Sequence, residues 1–68
     1  MATNPMQNRE VIFEFSTLGN VVRITAMDVK TMTEVTIQGP TNAPEATLKA
    51  NALKRLEYVL KKKGLIGD

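Results

Sequence analysis

The stretch NAPEATLKANALKRLEYVLKKKG, residues 42–64, decides the fold, because it alone in the chain carries an unambiguous period. Spaced about 100° apart around a helix axis, Leu48, Ala52, Leu53, Leu56, Val59 and Leu60 form one broad apolar stripe, and Lys54, Arg55, Tyr58, Lys61 and Lys62 gather on the other side. Such a helix needs an apolar layer to lie on. Its ends are marked as well. Asn42 is placed to accept from the first open amides, Glu45 to return a bond three residues on, and Pro44 costs no hydrogen bond in the opening turn; the helix is expected to start at Asn42 or one residue either side. At the far end Lys61, Lys62 and Lys63 suit a carbonyl-rich terminus. Gly64 can take the left-handed conformation that closes a helix, which would bring Leu65 against Leu60.

Upstream the period changes to two. From Glu10, Val11, Phe13 and Phe15 alternate with Ile12, Glu14 and Ser16, which reads as a strand; a second is expected over Asn20 to Met27, after a tight Leu18-Gly19 turn. Setting Phe13 opposite Ile24, Val11 opposite Ala26 and Phe15 opposite Val22 keeps one face apolar, and on the other face it places Glu14 opposite Arg23. Asp28 to Thr33 reads as a second hairpin loop and Thr33 to Gln38 as a third strand, stopped by Gly39-Pro40. The expected fold is therefore α+β: a three-stranded antiparallel β-meander packed on one C-terminal α-helix, β-β-β-α in two layers. One domain is expected over residues 9–66. Residues 1–8 have no period and read as a disordered arm.

A chain of 68 residues is marginal as a monomer, and with no cysteine and no histidine neither disulfides nor ordinary zinc sites can staple it. Good packing of helix on sheet, or a second copy of the chain, must complete the fold. No apolar run reaches the roughly 18 residues of a membrane span and no signal peptide is legible, so the expectation is a cytoplasmic protein without a membrane partner. The net charge of +2 is unevenly placed: residues 1–40 sum to −1 and residues 41–68 to +3.

Motifs for chemistry are absent. Without histidine, cysteine, a glycine-rich phosphate loop or a metal-loop pattern, the expectation is no enzyme, no cofactor and no metal site. Asp28 with Thr31 resembles a fragment of an acid-plus-hydroxyl site, but such residues in a turn ordinarily bond their own backbone. Two surfaces are candidates for binding. The sheet face away from the helix carries Ile12, Val21, Thr25 and Met27 beside charged residues, a profile suited to a protein partner or a homodimer, and the apolar first strand is an edge that can pair with its symmetry mate. The outer helix face, Lys54, Arg55, Tyr58, Lys61 and Lys62, offers cations for phosphates and a ring for a base, which makes weak non-specific nucleic-acid binding the alternative. Lysines on a solvated helix face also serve solubility alone.

Glu10-Val11-Ile12-Phe13-Glu14-Phe15, Gly19-Asn20, Ala26-Met27-Asp28, Glu34-Val35, Gly39-Pro40 and Leu56-Glu57-Tyr58-Val59-Leu60 together resemble a family of short, functionally uncharacterised proteins from alphaproteobacteria. The likeness covers about residues 10 to 64. It implies a bacterial, cytoplasmic setting and carries no activity, cofactor or catalytic residue. Met32 departs from what a turn would choose, since glycine is the easier residue there. Taken together, the expected role is a small protein-interaction or self-association domain.

Overall fold

Strand, strand, strand and helix follow in that order: β1 (Val11–Leu18), β2 (Val21–Asp28), β3 (Thr33–Pro40) and α1 (Glu45–Lys62). This computed structural model describes residues 9–67, so the arm read at residues 1–8 lies outside it. The sheet is an antiparallel meander with β2 in the centre, and α1 packs across β2 and β3 on one face. Ile24, Ala26 and Val35 from the sheet meet Leu48, Ala52, Leu56 and Leu60 from the helix as the buried core, with Val11, Phe13, Val22 and Ile37 packed around it. The helix stripe and the strand alternation thus meet as their periods require.

The β1–β2 register differs from the expected one by two residues. Phe13 lies opposite Ala26, Phe15 opposite Ile24, Glu14 opposite Thr25 and Ser16 opposite Arg23. A slip of two keeps every side chain on its face, so the apolar layer survives and only the cross-strand partners change. The turn decides it. Gly19, at φ +62°, takes the first central position of a Gly19-Asn20 turn, the place a type II′ hairpin reserves for glycine, instead of the second position of Leu18-Gly19.

Element boundaries also move, though the helix closes at Gly64 as expected. The helix begins at Glu45 with Pro44 as N-cap and no side-chain cap, not at Asn42. Ala43 directly precedes a proline and is therefore kept out of the helical region, and its amide instead donates to the Pro40 carbonyl. β3 runs on through Gly39 to Pro40, because Pro40 stands opposite Val21 on an edge strand where its missing N–H faces the open side. At the helix end, the Gly64 N–H donates to the Lys61 carbonyl and the Leu65 N–H to the Leu60 carbonyl, with Gly64 at φ +71°. That is a Schellman closure. The side chain that returns to the core is Ile66; Leu65 stays exposed.

At Gly39 the sheet backbone comes close to a helix side chain. A Cβ built there would lie 2.5 Å from Cδ2 of the buried Leu48, whose side chain would have to shift. Gly39→Ala is expected to lower stability by about 1–3 kcal/mol through overpacking, measured as a shifted denaturation midpoint. An unchanged midpoint would mean that Leu48 repacks freely.

Candidate functional site

Asp28 and Thr33 are the two buried polar residues of the inner sheet face, at the end of the sheet where β2 turns into β3. The Asp28 carboxylate accepts from Arg9 twice, Nε at 3.1 Å and Nη2 at 2.8 Å, and from Thr31 twice, the backbone N–H at 3.0 Å and Oγ1 at 2.7 Å. The Thr31 and Thr33 hydroxyl oxygens lie 2.8 Å apart; since the single Thr31 proton goes to the carboxylate, Thr33 donates to Thr31. The Arg9 guanidinium, joined by the Thr31 donors, overcomes burial and holds the Asp28 carboxyl down at about 2, from an ordinary 3.8. The same contact raises the pKa of Arg9.

This is a staple. It ties the chain ahead of β1 to the β2–β3 loop, and the Val29 N–H donating to the Glu10 carbonyl at 3.1 Å extends it. The reading of Asp28 and Thr31 as turn residues bonded to local groups agrees with this geometry, whereas Arg9 was missed. Its signal was an arginine and an aspartate on one face at the same end of one hairpin, directly opposite each other in the expected register and two residues out of line in the observed one. Met32 stands in the same loop at φ +59°, the left-handed conformation that glycine would adopt more easily.

On the outer helix face the five basic and aromatic residues come together, but most of them are engaged within the helix. The Arg55 guanidinium lies 5.6 Å from the Tyr58 ring centroid and the Lys62 ammonium 6.0 Å from it, and Lys61 Nζ pairs with Glu57 at 3.2 Å. These are helical (i, i+3) and (i, i+4) neighbours, with Glu57 on the favourable N-terminal side of its lysine. Lys54 joins Glu57, Tyr58 and Lys61 around a shallow depression.

The outer sheet face does not hold its four candidates in one patch. Ile12 lies opposite Met27 at one end and Val21 opposite Leu18 at the other, separated by the rows Glu14–Thr25–Thr36 and Ser16–Arg23–Gln38. Thr25 is taken up locally, its Oγ1 3.1 Å from Thr36 Oγ1. Two apolar residues escaped the sequence reading. Leu18, assigned to a turn, is 80% exposed on the outer face, and Phe15, assigned to the core, is 40% exposed on the inner one. Phe15 is open because α1 lies over β2 and β3 and leaves β1 at the side; Phe13 packs against the core, and the Lys49 ammonium sits 5.3 Å from its ring centroid.

The backbone of β1 supplies the remaining feature. Glu10 and Val29 form a hydrogen-bonded pair, and such pairs alternate along an antiparallel ladder. Ile12, Glu14, Ser16 and Leu18 therefore bond to β2, while Val11, Phe13, Phe15 and Thr17 turn their N–H and C=O groups to the open edge. The other edge is different: β3 ends in Pro40.

Among the described residues, no group of three or more histidine, cysteine or carboxylate side chains is placed to hold a metal, and no helix is long and apolar enough to cross a membrane. Comparison with curated proteins and with solved structures found no match. Residues 8–63, which span β1 to the last turn of α1, match a family described as a domain of unknown function (DUF6898). The chain belongs to that family.

Proposed function

We propose that this domain is a self-association module that acts without catalysis, and that the free edge of β1 is its working surface. The observation that carries the reading is the asymmetry of the two sheet edges. β3 is blunted by Pro40, whereas β1, equally long and likewise with one glutamate, has no proline, an open row of backbone groups and three large apolar side chains, Ile12, Phe15 and Leu18, left in solvent. Edge strands of that kind template the addition of another strand. The buried polar cluster supports a non-catalytic role, since the Asp28 oxygens are already occupied by Arg9 and Thr31. On α1, cations lying over Tyr58 favour solubility and helix-end stabilisation above stacking on nucleic-acid bases. The resemblance to short alphaproteobacterial proteins supports a bacterial cytoplasmic setting.

Thr17→Pro tests the edge directly. The Thr17 N–H points away from β2, so proline there removes no intramolecular bond, yet it denies an incoming strand its donor. Sedimentation equilibrium at hundreds of micromolar is expected to give twice the monomer mass for the wild type and the monomer mass for the variant, with similar melting temperatures. A monomeric wild type, with fast hydrogen exchange at Val11, Phe13, Phe15 and Thr17, would remove the proposal.

A further inference from the structure

Resting on self-association through β1, we propose a specific register: two copies of β1 pair antiparallel with Phe15 on the two-fold axis, and Glu14 of each copy forms an ion pair with Arg23 of the other. The backbone polarity of the edge restricts the choice. Residues 11, 13, 15 and 17 are the ones that bond outward, so these pair among themselves across the axis, and their side chains share the helix face of a continuous sheet. Two registers then overlap nearly all of β1, one centred on Glu14 and one on Phe15.

Charge selects between them. Centring on Glu14 sets that carboxylate directly opposite its own copy in a closely spaced pair, which repels. Centring on Phe15 sets Glu14 opposite Ser16, Phe13 opposite Thr17 and Ile12 opposite Leu18 of the second copy. Within its own sheet Ser16 already lies opposite Arg23. Glu14 of one chain is thus separated from Arg23 of the other by one small serine, at about 10 Å between strand backbones, a span that the two long side chains bridge. Among the described residues neither Glu14 nor Arg23 has an ion-pair partner in its own chain.

The apolar surface follows the same register. Ile12 lies opposite Met27 and Leu18 opposite Val21 in each monomer, so the contact of Ile12 with Leu18 joins the separated patches into one row, Met27, Ile12, Leu18, Val21, on each side of the axis. On the helix face each Phe15 ring, open at the side of its own core, meets the other. Four of the exposed large apolar residues, Ile12, Phe15, Leu18 and Val21, find their partners in a single arrangement.

The chain has no cysteine, so single introduced thiols report the register without interference. Phe15→Cys is expected to oxidise to a covalent dimer, because directly opposite residues of a hydrogen-bonded pair lie about 5.5 Å apart at Cα, within disulfide reach. Glu14→Cys is expected to stay uncrosslinked, its two copies being diagonal neighbours about 7–8 Å apart. As a second measurement that leaves Phe15 intact, Glu14→Arg and Arg23→Glu should each weaken the dimer about tenfold or more, and the double reversal should restore most of the affinity. Crosslinking at Glu14→Cys but not at Phe15→Cys, or tighter dimers with Glu14→Arg, would overturn the register and leave self-association standing. A wild type that stays monomeric would overturn both. A dimer that crosslinks at neither position, or is indifferent to the charge reversals, would place the contact elsewhere and overturn the register.

Discussion

Leu56→Ala is expected to destabilise the protein by about 2–5 kcal/mol, the range for a large-to-small change at a fully buried site. Leu56 has no solvent exposure, lies mid-stripe on α1, and is joined in the core by Ile24, Ala26 and Val35 from the two strands the helix covers. Truncation removes the apolar area of the side chain and leaves a void that the sheet cannot close, since the strands are held by their own ladders. In a chain of this size the loss is a large share of the whole stability. Urea denaturation followed by circular dichroism measures it; a midpoint unchanged by the substitution would mean that the helix does not bury this residue. The neighbouring exposed position Tyr58 is the natural control.

Removing the Asp28 carboxylate is expected to be comparably damaging, with Asp28→Ala lowering the melting temperature by about 10 °C or more at neutral pH. The reason is not the lost attraction alone. The Arg9 guanidinium, the Thr31 amide and the Thr31 hydroxyl all donate to this carboxylate at a buried position, and the alanine variant leaves every one of them without its acceptor. The same group sets an acid dependence. Its folded-state value is depressed to about 2 from 3.8, so its contribution is complete above the unfolded value and is lost as pH falls from 3.8 through about 2. Thermal melts across that window should therefore fall more steeply for the wild type than for Asp28→Asn, which begins lower and has no proton to take up. Parallel slopes would mean that Arg9 does not hold Asp28 in solution.

The periods of the sequence determined the elements by themselves. A stripe at 3.6 residues and an alternation at two state which side chains leave water together, and for a chain with one helix and three short strands only one way of closing the apolar faces was available. That is why Leu48, Ala52, Leu56 and Leu60 were legible as the helix contribution to the core, and why a two-residue slip in register left the architecture untouched. Gly64 was legible for the same kind of reason, since a left-handed helix closure is a local demand on one residue.

What the sequence could not decide was where long-range partners stand. Glu14 opposite Arg23 was a sound local pairing, yet the Gly19-Asn20 turn outweighed it, because a tight hairpin admits few backbone conformations and glycine's freedom is used at the first central position. The same shift set Ser16 opposite Arg23 and moved Asp28 from opposite Arg9 to opposite Val11, so that the Arg9 guanidinium reaches it from two residues upstream. The placement of α1 over β2 and β3 was likewise a tertiary outcome: it turned Phe15 from an expected core residue into an exposed one and left β1 as an open edge. Periodicity reports the face on which a side chain lies, whereas its burial depends on what the remainder of the chain lays across that face.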